Sequence, residues 1–229
     1  MKESGIFYDS ANLEGFKRWY DSGILGGATT NPVILKKEGI VDVNGHIEKM
    51  IQICGPDFPI SVEVPDSEMT KEKMVQIAGE YATRFPKNAV IKIPMDPRDP
   101  PKAFQVIKEL YEANIPTNAT LGLTTGQLIG AMEAGAKYVS LFWARCDEAN
   151  GLGAEETLKT IIKYRETHKL NSQIIVGSIR NITQIDKAFA LGADIVTISP
   201  KLLEEWMFTQ RGVETADEFN LAFRSSQQP

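Results

Sequence analysis

The chain has 229 residues, with 25 Lys and Arg against 30 Asp and Glu and a net charge of -5. Its basic residues are scattered, which disfavours a nucleic-acid or anionic-membrane surface; any phosphate site has to be built locally from a few arginines and backbone N–H groups. Cys54 and Cys146 lie far apart, and His46 and His168 are the only histidines. This argues against a disulfide framework or a zinc site. No apolar run approaches the ~18 residues of a membrane span, and residues 1–5 lack the apolar stretch of a signal peptide. The expectation is one large soluble, cytoplasmic domain with small-molecule partners.

In chain order, a strand over residues 6–8 precedes a helix over 13–20, a strand over 24–28 precedes a helix over 46–53, and a strand over 60–64 precedes a helix over 70–84. Strands over 89–93 and 115–118 are followed by helices over 101–113 and 125–134. Strands over 138–142, 174–177 and 195–198 are followed by helices over 154–167, 182–190 and 201–207. Met74, Ile77, Ala78 and Tyr81 form one apolar helix face, and Gly23, Gly135 and Gly192 stand where helices stop before a strand.

Eight strands alternating with eight helices predict a (β/α)8 barrel. An open doubly wound sheet would carry a Gly-rich turn after its first strand, where this chain has Asp9-Ser10-Ala11-Asn12. A final helix over 215–223 places Phe219 and Phe223 at i, i+4 and has no position inside the barrel. It packs over the barrel mouth or docks on a neighbouring subunit. Residues 1–211 thus form the barrel domain and 212–229 a C-terminal helix and tail, with the polar end 224–229 frayed.

Lys92 lies in Ala89-Val90-Ile91-Lys92-Ile93-Pro94, a β-branched run that reads as a buried strand. Burying an ammonium is unfavourable, and desolvation frees the amine to attack a carbonyl, the first step of Schiff-base chemistry. The alternative is a lysine that reaches solvent or pairs with a carboxylate.

A barrel builds its active site at the C-terminal ends of its strands. Those positions offer Asp9, the run Thr29, Thr30 and Asn31, then Glu63, Lys92, Asn118 and Thr120, then Ser140, Arg145, Ser178, Arg180 and Ser199. Asp9 and Glu63 are candidates for proton transfer, and the amides and hydroxyls suit a sugar and a carbinolamine. Arg145, Ser178 and Arg180 suit a phosphate. Each has a structural alternative. Asp9 caps the next helix, Asn31 before Pro32 shapes a turn, or Arg145 pairs with Asp147 or Glu148.

With those residues in hand, the chain resembles the transaldolase family, specifically its short single-barrel members and their fructose-6-phosphate aldolase relatives. The resemblance runs from Phe7-Tyr8-Asp9-Ser10-Ala11 to about Met207. It rests on Ala28-Thr29-Thr30-Asn31-Pro32, Val90-Ile91-Lys92-Ile93-Pro94, Thr117-Asn118-Ala119-Thr120-Leu121 and Gly177-Ser178-Ile179-Arg180-Asn181. It implies that Lys92 forms the Schiff base, that Asp9 is the acid/base of C–C cleavage and that Glu63 and Thr120 position the catalytic water. It further implies that Thr30, Asn31 and Asn118 hold the sugar, that Ser140 holds the dihydroxyacetone unit, and that Arg145, Ser178 and Arg180 bind phosphate. No metal or cofactor is implied, because the protonated imine is the electron sink. The family also implies sugar phosphates of the pentose phosphate pathway as substrates, and cyclic pentamers or decamers that exchange the C-terminal helix.

Two positions bear on the branch. Aldolase relatives tend to carry Gln where this chain has Glu63 and Tyr where it has Phe142, so both residues resemble true transaldolases. The alternative is an aldolase releasing free dihydroxyacetone; a third is a non-catalytic barrel that binds sugar phosphates. Two segments depart from the family. Leu141 and Ala144 replace a Pro and a Gly beside Arg145, and Ala does not reach every conformation open to Gly. Residues 122–125 lack an aromatic–serine pair.

Overall fold

A computed structural model describes residues 5–149 and 151–226. β1 (Ile6–Asp9) leads through Asn12, whose side-chain oxygen accepts from Gly15 N, into α1 (Leu13–Asp21). There follow β2 (Gly27–Thr29), α2 (Pro32–Lys37), α3 (Val43–Cys54), β3 (Ile60–Glu63), α4 (Lys71–Arg84), β4 (Ala89–Pro94) and α5 (Pro100–Glu112). β5 (Thr117–Gly122), α6 (Thr125–Glu133), β6 (Tyr138–Phe142), α7 (Trp143–Glu148), α8 (Gly153–His168) and β7 (Gln173–Gly177) come next. α9 (Ile182–Ala190), β8 (Ile195–Ile198), α10 (Pro200–Met207) and α11 (Gln210–Ser226) complete the described chain. Each strand pairs in parallel with its sequence neighbours, and β8 pairs with β1. The result is the expected closed (β/α)8 barrel with an added C-terminal helix.

Strand alternation sorts the inside of the barrel from its outside. Outward side chains such as Ile60, Val62, Ile91 and Val139 join Phe16, Met74 and Leu128 in the main core between strands and helices. Inward, Phe7, Val90, Tyr138, Ile175 and Ile195 form a separate buried cluster that fills the lower barrel. Gly27 makes room for it, since a Cβ there would stand 2.4 Å from the Phe7 ring. Two residues further along those same five strands stand Asp9, Lys92, Ser140, Gly177 and Thr197. The apolar cluster is therefore the floor, and the polar positions the next layer up.

Several boundaries differ from the expectation. The strand expected over 24–28 is β2 (Gly27–Thr29), and the strand expected over 115–118 runs on to Gly122 through a register shift between Ala119 and Gly122. Two helices were not anticipated. At α2, Asn31 caps the helix and Pro32 occupies its first turn, so the Asn-Pro pair starts a helix rather than a turn. α7 starts directly after β6, with Phe142 as its N-cap and Trp143, Ala144 and Cys146 buried. The last helix begins at Gln210, bridged by Arg211 to Glu214 and Glu218, and continues past the expected frayed start to Ser226. Residues 1–4 and 227–229, on which the readings of a leader and of the extreme tail fall, lie outside the described residues. Cys54 and Cys146 are both free and buried. Among the described residues no helix is long and apolar enough to cross a membrane.

Candidate active site

At the C-terminal ends of the strands a cavity of about 350 Å³ is walled by Asp9, Thr29, Asn31, Glu63, Lys92, Ser140, Phe142, Arg145, Ser178 and Thr197, with Pro32, Val33, Ile34, Leu121 and Gly177. Larger hollows of about 860, 740, 460 and 450 Å³ open elsewhere, the 460 Å³ one at the N-terminal mouth. Among the described residues, only the 740 Å³ hollow is lined by a side chain with a buried polar atom that lacks a hydrogen-bond partner, Asn44 Oδ1, and none of the four is lined by Asp9, Glu63 or Lys92.

Lys92 is 4% exposed. Parallel pairing sets it beside Glu63 across β3 and β4, with Nζ 3.0 Å from Glu63 Oε2. Nζ also donates to Thr30 O at 2.9 Å. Of the two sequence alternatives for Lys92, pairing with a carboxylate is realised. That partner is itself a cavity residue, so the pairing and a chemical role coexist. An ammonium buried this deeply requires such partners.

Asp9 is the last residue of β1 and caps no helix; Asn12 takes that part. Its Oδ1 accepts from Thr29 Oγ1 at 2.8 Å, and Thr29 Oγ1 lies 2.5 Å from Thr197 Oγ1. Because the Thr29 proton points to Asp9, Thr197 donates to Thr29, and a relay of two hydroxyls backs the carboxylate. Burial pushes the Asp9 carboxyl above its ordinary range, while the Thr29 hydroxyl and the Lys92 charge pull it back.

A second polar chain crosses the barrel. Thr30 Oγ1 donates to Ser61 O at 3.0 Å, Asn118 Nδ2 to Ser61 Oγ at 3.2 Å, and Ser140 Oγ to Asn118 Oδ1 at 2.7 Å. Asn118 is fully buried and holds Ser140 at the cavity wall rather than forming the wall itself. Thr120, two residues on, is also fully buried, and its Oγ1 has no hydrogen-bond partner. A buried hydroxyl in that state is stabilised by any molecule that supplies a partner. Asn31 reaches the cavity while its Oδ1 accepts from Ile34 N at 2.9 Å, so only its amide NH2 is free of the cap.

The phosphate candidates divide. Arg145 lines the cavity with its guanidinium carbon 5.7 Å from the centre of the Phe142 ring. Ala144 does not divert it, because Ala144 sits in helical backbone and its N–H donates to Ser178 O at 3.2 Å. Ser178 lines the same wall with a φ of +56°, a strained value for a serine. Arg180 is not on the wall; its Nη1 is paired with Glu148 Oε1.

Some of the site was missed from the sequence. Ser199 stands at the start of α10, and the inward residue of β8 is Thr197, which counting in twos from Ile195 would have found. Two clamps behind the wall were also missed. Asp96 accepts from Ser67 Oγ at 2.8 Å and from Arg98, joining the loops after Glu63 and Lys92. Gln127 accepts from Leu123 N and Thr124 N and donates to Met95 O at 2.8 Å, joining the loops after β4 and β5. The Thr124–Gln127 capping box is a recognisable sequence signal, but its third partner is not.

Among known proteins, the family described as Transaldolase/Fructose-6-phosphate aldolase matches residues 6–227. A probable transaldolase of Exiguobacterium sp. is 36% identical over 214 residues, covering 91% of this chain and 94% of that protein. A probable transaldolase of Brachyspira hyodysenteriae is 35% identical over 212 residues, with the same coverage. One from Nitrosopumilus maritimus is 33% identical over 215 residues and 91% of each chain.

Proposed function

This chain belongs to the transaldolase/fructose-6-phosphate aldolase family, and from that premise we propose that it is a Schiff-base transaldolase. In this reading it carries a dihydroxyacetone unit from sedoheptulose 7-phosphate or fructose 6-phosphate to glyceraldehyde 3-phosphate or erythrose 4-phosphate, in the pentose phosphate pathway of the cytoplasm. The observation that carries the proposal is a buried lysine 3.0 Å from a partly buried carboxylate on the wall of a polar cavity.

Glu63 takes a proton from the Lys92 ammonium, and the free Nζ adds to C2 of the ketose. The carbinolamine loses its hydroxyl as water, with Glu63 returning the proton, and an iminium forms. Asp9 then takes the proton of the C4 hydroxyl. The C3–C4 bond breaks, its electron pair flows into the iminium, and an aldose phosphate leaves an enamine on Lys92. C3 of the enamine adds to the carbonyl carbon of the acceptor, Asp9 protonates the new hydroxyl, and water releases the product ketose. Thr120 fits the positioning of that water, Ser140 the three-carbon unit, Asn31 the sugar, and Arg145 with Ser178 the phosphate, while Thr30 and Asn118 stand behind the wall and hold Lys92 and Ser140 in place. Arg180 joins the phosphate only after leaving Glu148.

Glu63 and Phe142 favour transfer over release of free dihydroxyacetone. A homo-oligomer, pentamer or decamer, built through α11 completes the proposal. That helix has no buried residue, and Phe219, Leu221 and Phe223 are each about two-thirds exposed or more.

Borohydride trapping with fructose 6-phosphate, followed by peptide mapping, tests the chemistry. The expected result is a reduced three-carbon adduct on Lys92, absent in Lys92→Met; a folded enzyme with no adduct would falsify the proposal. Glyceraldehyde 3-phosphate released without an acceptor, as fast as in the transfer reaction, would reassign the protein to the aldolase branch.

A further inference from the structure

α7 carries two side chains of opposite charge three residues apart. Arg145 lies on the cavity wall, while Glu148 Oε1 is bonded to Arg180 Nη1. The backbone under Arg180 is held in place, since its N–H donates to Gln184 Oε1 at 2.8 Å and Ala144 N ties α7 to Ser178 O at 3.2 Å. Ser178, two residues before Arg180, is on the wall. An exchange of Glu148 for a ligand in the cavity therefore asks the Arg180 side chain to move and leaves its backbone where it is. The neighbouring Asp147 does not compete, because its Oδ1 accepts from Ala154 N at 2.8 Å and caps α8.

We infer that Glu148 is a specificity-determining residue that acts through Arg180, holding the guanidinium off the phosphate end until a phosphate dianion takes it in exchange. This rests on the reading of Arg180 as a phosphate ligand. Both partners are more than half exposed, 60% and 55%, so the pair is weak enough to open readily. A phosphate presents two negative charges and three acceptor oxygens and displaces a carboxylate; an uncharged sugar end does not. The apparent affinity for a phosphorylated sugar is lowered by the fraction of protein in the latched state.

The test compares the unaltered enzyme, Glu148→Gln, Arg180→Met and the double variant. The readouts are KM and kcat for fructose 6-phosphate with unphosphorylated glyceraldehyde as acceptor, and the Kd of inorganic phosphate by calorimetry. Glu148→Gln is expected to lower KM and Kd together by about two- to fivefold, the scale of one exposed ion pair, with kcat unchanged. In the Arg180→Met background the same change is expected to do nothing. Unchanged KM and Kd in Glu148→Gln, in a protein where Arg180→Met weakens both, overturns the latch alone. So does an effect of Glu148→Gln that persists without Arg180. Arg180→Met with KM and Kd as in the unaltered enzyme overturns the phosphate role of Arg180 and the latch with it. The calorimetric arm reads the latch even in a protein with no turnover.

Discussion

Glu63 and Lys92 face each other across two neighbouring parallel strands, with Oε2 and Nζ 3.0 Å apart at the polar level just above the apolar floor of the barrel. The pairing keeps an ammonium stable where water hardly reaches, and it places a proton acceptor on the amine that has to become a nucleophile. Glu63→Gln keeps the shape and removes the charge. It is expected to slow imine formation by about 10- to 100-fold at neutral pH. Borohydride trapping rates at pH 7 read this directly; a rate equal to that of the unaltered enzyme contradicts it.

Asp9→Asn is expected to cost about 10²- to 10⁴-fold in kcat yet to raise the melting temperature at neutral pH. Burial lifts the Asp9 carboxyl above its ordinary 3.8, so the folded state holds that proton more tightly than the unfolded state. Stability is then lost as pH rises from 3.8 through the folded value, and the asparagine variant escapes that loss. Its gain should grow as pH rises above 3.8 and vanish toward pH 3.5. Thermal melts across this range decide it, and a variant that melts lower at pH 7 refutes the account.

Thr29 donates to Asp9 and holds its carboxyl down. Thr29→Val is therefore expected to move the acid limb of the kcat–pH profile to higher pH, and Thr197→Val to do the same more weakly through the relay. The kcat at the optimum should fall by about tenfold, the size of one hydrogen bond to a charged group, about 1.5 kcal/mol. A limb that stays in place in both variants removes Asp9 from that limb.

Gln127 binds two backbone N–H groups and the Met95 carbonyl. Gln127→Ala leaves these groups to water and is expected to destabilise the fold by about 1–2 kcal/mol, read as a lowered urea midpoint with an unchanged slope. A midpoint matching the unaltered protein means that the loops hold without the clamp.

Deleting residues 213–229 removes most of α11, including the exposed Phe219, Leu221 and Phe223. The barrel contributes its whole core without that helix, so circular dichroism and melting should change little. Sedimentation equilibrium is expected to show a drop to a smaller species. A mass that falls only by the deleted segment per subunit, with the assembly intact, rules out assembly through the helix.

Much of the barrel was legible because short β-branched runs alternate with apolar-striped helices, and local periodicity survives folding. Lys92, Glu63 and Asp9 were legible because they interrupt or close such runs. Thr197 is not visible in a reading of the residues that follow each strand, which yields Ser199, because alternation from Ile195 decides which residue of β8 faces in. Asn31 was legible as a polar strand-end residue, but its helix-capping oxygen depends on α2, which directly follows it.

The sequence by itself determined the alternation of strands and helices, the polar residues at the C-terminal strand ends and the lysine among isoleucines, since each depends on neighbours within a few positions. Only the tertiary structure decided that Glu63 is the partner of Lys92, that two threonines from opposite ends of the chain back Asp9, and that Arg180 is turned to Glu148. Those contacts depend on strand register and barrel closure, which bring Thr29 to Thr197 across 168 positions of chain, and on the competition of charges for one guanidinium, which no local pattern encodes.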